Sequence, residues 1–303
     1  MRAFIPIMFC ACIHAQTNPL WHEQKVKNYL PHMTWPEVQD LLTRSDMVII
    51  PIASIEQHGP QGPLGTDFLA ANERAKLVAQ KTDVLVAPVL MPGISPYHME
   101  FPGTITLSPD TVQRVYFEAV QSLIHHGFHR FLFLNGHAGN QYVTRFIIDR
   151  INQETSATAL ELGDAAAPFL SRNRANPAPA AARVFDRHAG VGETSSSMYL
   201  FPNLMSMDKA GKNDVTLPEH LAKMLPQVEA GDPAATQIFL AEALKPKDTG
   251  KHTSTREMTA TGSWSNRDTR ESTAERGRDE TESFVNAAVQ FIDRWKTLEP
   301  LRQ

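Results

Sequence analysis

Thiols are nearly missing from this chain of 303 residues: its two cysteines, Cys10 and Cys12, both lie in the first dozen positions. If that segment is removed, the remaining chain has no disulfide, no thiolate metal ligand and no cysteine nucleophile. An excess of basic charge is also missing. Lys and Arg number 29 against 33 Asp and Glu, a formal net charge of -4. No positive field of the sort that neutralises phosphates is present, so nucleic acid is not expected as a partner. The apolar stretch from Ala3 to Ile13 is too short to cross a bilayer, and no membrane span is expected. Internal repeats and low-complexity tracts are absent as well, which leaves an ordinary globular fold.

Hydrophobic residues make up 42% of the chain, enough for one large core or two modest ones, so disorder of the whole chain is excluded. The first residues, "MRAFIPIMFCACIHAQ", have one basic residue, Arg2, then the apolar stretch, then the small residue Ala15. That is the outline of a secretory leader over residues 1–15, and it predicts an exported protein, periplasmic or secreted. Residues 16–303 are read as a single domain.

From Thr34 onward, short apolar runs alternate with amphipathic segments. "TWPEVQDLL" has Thr34 and Glu37 at capping-box spacing, so a helix is expected there. "MVIIPIA" (47–53), "VLVAPVL" (84–90) and "RFLFLN" (130–135) have strand length and no polar face. Helical spacing fills the intervals, in "DFLAANERAKLVAQK", in "NQYVTRFIIDRINQE" and in a segment opened by Ser108 and Pro109 and stopped by Gly127. The stripe of that last segment runs through Val112, Val115, Ala119, Val120, Leu123 and Ile124. Such alternation predicts an α/β fold of three layers, α/β/α, with a mostly parallel central sheet. Residues 164–187 read as a long loop, residues 211–259 as a partly helical excursion, and "ETESFVNAAVQFIDRWKTL" as a closing helix.

In such sheets functional groups gather where strands end. "SIEQHGPQGPLGTDF" follows the first strand and brings Glu56, His58 and Asp67 within a dozen positions. Residues i and i+2 of an extended chain share a side, so Glu56 and His58 can point together, and Asp67 can return to them after the turn. These three suit zinc, manganese or ferrous iron, though a solvated polar loop would contain them too. "NGHAGN" places His137 between glycines at the end of another strand, where the backbone can bend towards a shared site or simply form a turn. "RHAGVGETSSSMYLF" adds His188 and Glu193, the latter at the start of a helix, a place that favours a carboxylate even without function. His125, His126 and His129 near a helix end read as surface, and Thr104 as a residue that could line the site. "ETSSSMY" lacks the glycine-flanked elbow of a serine hydrolase.

"SIEQHGPQGPLGTD", "GISPYHMEFPGTITL", "GFHRFLFLNGHAGN" and "HAGVGETS", in this order and spacing, resemble the creatininase (creatinine amidohydrolase) family over roughly residues 34 to 205, with an echo in "STAERG" (272–277). The resemblance implies a hydrolase with two divalent metal ions per chain, zinc or manganese with iron possible. Glu56, Asp67 and His137 would hold one ion; His58 and the shared Asp67 would hold the second. The pair would activate a bridging water and polarise an amide carbonyl. Where creatininases have a glutamate for the second metal, this chain has Gly139, and Glu193 is expected to supply that carboxylate. His188 matches the family's histidine near the substrate, suited to moving a proton, with orientation of a metal ligand as the alternative role. Ser95 aligns with a substrate-contacting serine, or is a turn serine.

The resemblance further implies a small-molecule substrate and a homo-oligomer, a hexamer in many members, and residues 211–259 could modify that assembly or cover the pocket. Relatives open a cyclic amide, remove a formyl group or trim a precursor peptide, and export argues against the last two roles. Creatinine itself is not expected. Residues 164–187 carry no tryptophan to sandwich a planar ring, only Phe169 and Phe185, and Ala138 stands where a tyrosine is expected. The same metal chemistry would also permit lactone or imide ring opening. A non-catalytic exported metal- or ligand-binding protein is the reading from another class.

Overall fold

The computed structural model describes residues 18, 23–90, 92–172, 185–217, 219, 221–243 and 254–301. The leader expected at residues 1–15, with both cysteines, lies outside the described residues. In chain order the elements are α1 (Trp35–Leu42), β1 (Met47–Ile52), α2 (Thr66–Lys81), β2 (Leu85–Val86), α3 (Pro109–His125), β3 (Arg130–Asn135), α4 (Gln141–Glu154), β4 (Thr158–Glu161), α5 (Leu162–Arg172), β5 (Asp186–His188), α6 (Val191–Leu200), α7 (Leu225–Glu229), α8 (Pro233–Ala243), α9 (Thr255–Met258), β6 (Trp264–Ser265) and α10 (Ala274–Leu298).

The central sheet has the order β2-β1-β3-β4, and every pairing in it is parallel. Its strands are apolar on both faces because helices cover both. Val48, Ile50, Ile52, Phe131 and Phe133 pack with α3 and α4 through Val112, Tyr116, Val120, Ile147 and Ile151. The alternate residues Met47, Ile49, Leu132 and Leu134 pack with α2, α5 and α10 through Val78, Leu162, Ala166, Val285 and Ile292. The fold is thus the three-layer α/β/α arrangement expected. Each of the largest side chains withdrawn from water, Phe131 and Phe133 among them, contributes roughly 1.5–3 kcal/mol by burial.

Local chemistry sets most boundaries. Glu37 reaches back to the Thr34 N–H at 2.7 Å and opens α1. The Ser108 hydroxyl accepts the Thr111 N–H at 3.3 Å and opens α3, and Gly127, at φ +105°, ends the turn after it. In α3 the interior goes to Tyr116 and Phe117 as well as Val112 and Val120, whereas Val115 and Ala119 are half-buried. The run 84–90 pairs only at Leu85–Val86, as Pro88 has no N–H to continue a ladder.

The region read as a loop, 164–187, needs correction. Residues up to Arg172 belong to α5 and Asp186–His188 form β5, while 173–184 lie outside the described residues. The whole stretch is rich in Ala, Pro and Arg and has little periodicity, and Pro168 lies inside the helix. Leu162, Ala166, Phe169 and Leu170 instead form an apolar stripe at helical spacing that docks in the cluster holding α10. That packing outweighs the proline. The excursion is partly helical, as expected, and has its own apolar cluster of Val215, Leu221, Val228, Phe239 and Met258 against Tyr97, Phe185 and Trp264.

The register positions the site. Ile52 of β1 is opposite Asn135 of β3, so the chain leaves both strands at the carboxyl end of the sheet, and the following loops, 53–65 and 136–140, emerge side by side.

Candidate metal centre

β1 ends at Ile52, so Glu56 and His58 sit in the loop beyond it and not in a strand. They converge by loop geometry: the Glu56 N–H donates to Leu64 O at 2.9 Å, and His58 Nδ1 lies 3.1 Å from Glu56 O. Asp67 is in the first turn of α2, a position that favours a carboxylate. Its Oδ2 accepts the Ser54 hydroxyl at 2.6 Å and lies 2.9 Å from His137 Nδ1, and its Oδ1 lies 3.0 Å from His58 Nε2. His137 follows β3. Glu193 is in the first turn of α6, its Oε2 3.7 Å from His58 Nε2.

Three groups of donors result. Glu56, Asp67 and His137 form one; His58, Asp67 and Glu193 form another; and Glu56, His58 and His188 form a third. Within each group the candidate ligand atoms lie no more than 4.8 Å apart. Asp67 is common to the first two. Glu56 is wholly buried, yet among the described residues neither of its carboxylate oxygens has a hydrogen bond of good geometry. Its Oε1 has the imidazole nitrogens of His137, His98 and His188 around it at 3.3, 3.5 and 3.5 Å. A buried anion with that shell fits a cation.

The imidazoles are turned the right way for one. A carbonyl only accepts, so the nitrogen facing it carries the proton. His137 Nε2 faces Ile94 O at 3.0 Å, His58 Nδ1 faces Glu56 O, and His188 Nε2 faces Gln57 O at 2.7 Å. In each neutral ring the remaining lone pair points to the carboxylates, the outer hydrogen bond fixing the tautomer as in metal sites. His98 Nε2 also faces Glu56, at 3.5 Å, but its tautomer is not assigned by its contacts: Nδ1 lies 2.8 Å from the Thr255 hydroxyl, whose proton goes to Tyr97 O at 2.7 Å, and 2.9 Å from the Gln57 amide nitrogen, a donor.

Without a cation, protons take its place. Burial opposes charge on His58, but Asp67, then Glu193 and Glu56, outweigh it and raise that ring to about 10. His137 is raised well above its usual range, against burial, by Glu56 and Asp67. Against the same burial penalty, the Asp67 carboxyl is held well below the usual carboxylate range by His58 and His137. The His58 contribution to the metal-free fold is therefore complete below about pH 6.5 and is lost as pH rises through about 10. A metal must displace these protons. Zinc affinity is expected to rise about tenfold or more per pH unit between pH 6 and 8, measured by chelator competition; a pH-independent affinity would show that His58 and His137 are not the ligands.

The other expected residues are placed as follows. Ser95 Oγ is 3.3 Å from His137 Nε2, behind the ring and away from the carboxylates. Thr104 accepts the Gln57 N–H at 3.3 Å and so holds the loop. Phe169 packs on Phe291 and Phe185 on Phe239. His125 and His126 are exposed as expected, but His129 is half-buried, its N–H bonded to Asp46 O. Gly139 has no room for a side chain: a Cβ there would lie 2.4 Å from both His137 Nε2 and Ile94 O and 2.5 Å from Tyr97 Oη. Gly139→Ala is expected to weaken metal binding by about 10–100-fold by breaking the His137 anchor; unchanged affinity would show that the anchor is dispensable.

Four contributors escaped the sequence reading. Gln57 Nε2 lies 2.9 Å from Gly262 O, 2.9 Å from His98 Nδ1 and 3.1 Å from His188 Nε2. His98 stacks on His188 with ring centres 4.4 Å apart, and Thr255 anchors it. Trp264 stands 5.9 Å from the His98 ring and 6.4 Å from that of His188. Gln57 and His98 are inside quoted motifs and so had a signal; Thr255 and Trp264 are outside them, and their partners lie far away in sequence.

The creatininase family profile, described as creatinine amidohydrolase, matches residues 31–292. A 3-dehydro-scyllo-inosose hydrolase of Thermotoga maritima is 29% identical over 201 residues, which cover 60% of this chain and 59% of that one. The chain thus spans less than two thirds of that relative. A mycofactocin precursor peptide peptidase of Mycolicibacterium smegmatis is 30% identical over 195 residues, 62% of this chain and 70% of the relative. A crystal structure of creatinine amidohydrolase shares the fold at TM-score 0.62 and 22% identity, covering 90% of this chain and 98% of its own. Neighbouring creatininase structures include a manganese form and a Zn-Zn form.

Proposed function

The chain belongs to the creatininase family, and from that premise we propose that it is a metal-dependent amidohydrolase cleaving a C–N bond of a small cyclic amide, formamide or peptide-like substrate. The observation that carries the reading is the buried Glu56 carboxylate, which has no hydrogen bond of good geometry among the described residues and belongs to two of the three donor groups. Glu56, Asp67 and His137 would hold one divalent ion, zinc or manganese, and His58, Asp67 and Glu193 a second. Such a pair, when bound, supplies Lewis acidity for a water and for the substrate carbonyl.

The remaining work falls to the chain. Ile94 O, Glu56 O and Gln57 O hold three imidazoles in the tautomers that keep lone pairs inward. Burial keeps His188 below its ordinary value. Its Nδ1, 3.5 Å from Glu56 Oε1 and 3.8 Å from Glu193 Oε2, is free to take a proton from attacking water and return it to the leaving nitrogen. Ser95 would steady His137. Trp264 supplies an aromatic wall beside His98 and His188, the tryptophan that residues 164–187 lack. The leader outline at residues 1–15 supports export, and the family resemblance supports a homo-oligomer.

The test is hydrolysis, followed by mass spectrometry, of a panel of lactams, cyclic imides, formamides, lactones and short peptides, with metal-loaded wild type and Asp67→Asn in parallel. Product from the wild type alone, from an amide-bearing member, is expected. Cleavage confined to lactones would replace the amidohydrolase reading, and metal binding with no turnover would leave a binding protein.

A further inference from the structure

Beside the centre is a cleft of about 260 Å³ that reaches it through His188 and Glu193. Arg74 of α2 and Ser196 of α6 line its other side, and Arg187, the extra residue where β5 slips register against β6, lines it from the strand. Arg74 follows Asp67 by seven residues, two turns of α2, so both side chains leave the helix on one side. The rise between them is roughly 10 Å.

Acidic residues also line this cleft, but each has a hydrogen-bond partner of its own. Asp186 accepts the Val191 and Gly192 N–H groups at 3.0 and 3.2 Å, at the start of α6. Glu280 accepts from Arg276 Nε at 2.8 Å. Glu193 accepts the Ala189 N–H at 2.6 Å and belongs to the centre. Arg74 is the opposite case. Among the described residues its guanidinium makes one hydrogen bond, Nη2 to Ser196 Oγ at 3.0 Å, while its Nε is shut off from water without a partner. Neither Arg74 nor Arg187 makes an ion pair among the described residues. Burial pushes the Arg74 guanidinium down from its ordinary value, against the pull of Glu193, Glu280 and Asp67. Cations at the centre would draw on Glu193 and Asp67 and leave Arg74 with still less compensation. A guanidinium withdrawn from water calls for an anion, and its fork matches a carboxylate.

We propose that this cleft binds a carboxylate of the substrate, with Arg74 and Ser196 as inner contacts and Arg187 at the rim. The substrate class is then an amide that carries a free carboxylate some distance from the reacting bond, in place of a neutral ring. This rests on the amidohydrolase reading for the position of the amide, at the centre.

The test measures calorimetric binding of matched probes to the metal-loaded full chain: N-acetylglycine, N-acetylglycylglycine and N-acetyltriglycine, each as free acid and as C-terminal amide. At one length or more the acid is expected to bind about tenfold tighter or better. Arg187→Gln and Arg74→Gln should remove that preference; Arg187 is exposed, so its variant serves if Arg74→Gln does not fold. Equal binding of acid and amide at every length, or no binding by either, overturns the proposal. A preference that survives in the arginine variants also overturns it, because the carboxylate is then held by the centre itself. Binding is read without turnover, so an arginine-dependent preference in a protein that hydrolyses nothing keeps the carboxylate subsite and discards the reaction.

Discussion

Asp67→Asn is expected to abolish hydrolysis and to weaken divalent-metal binding by about 10³-fold, or roughly 4 kcal/mol. Asp67 is common to two donor groups and faces two imidazoles, His58 Nε2 at 3.0 Å and His137 Nδ1 at 2.9 Å. Asn keeps the shape and removes the charge. The metal-free protein should suffer too, since His58 and His137 would lose a buried counter-ion, a change of about 3–5 kcal/mol when one member of a buried pair is removed. Metal titration and thermal melts of the metal-free variant read the two effects separately. Wild-type affinity in the variant would remove Asp67 from the centre.

His188→Gln is expected to lower kcat by about 10²–10⁴-fold, the range for losing a general acid-base group, with metal content unchanged. The same ring completes a donor group with Glu56 and His58, so metal content decides between two roles. Loss of kcat with the metal retained identifies a proton carrier; loss of metal with kcat makes His188 a ligand. The Gln57 O contact at 2.7 Å keeps Nδ1 inward in either case.

Much of this was legible in the sequence because it is local. The strands at 47–52 and 130–135 are continuous apolar runs whose ends deliver Glu56, His58 and His137, and Asp67 opens a helix with clear periodicity. Glu193, proposed to stand in for a carboxylate missing at Gly139, is close to His58, and Gly139 turned out to be a position where no side chain fits. What could not be read is contact across long separations. Gln57 meets Gly262, and His98 meets Thr255, through folding of the whole chain and not through any pattern near either residue. Trp264 reaches the centre because β6 pairs with the strand that carries His188, whereas the sequence reading looked for tryptophan only in the segment before His188. The α5 helix was hidden by the Ala, Pro and Arg composition of its stretch, and the local cost of Pro168 is outweighed by burial of Leu162 and Ala166 against α10.

The central claim is a pair of divalent ions held with Glu193 in the second position. Metal content per folded chain, measured by plasma mass spectrometry on wild type and Glu193→Ala after loading with zinc, tests it directly. The Glu193 side chain is 42% exposed, so the variant is expected to fold, and the account predicts two ions in the wild type and one in the variant. Equal content in both proteins, or a wild type that takes up only one ion, would contradict it.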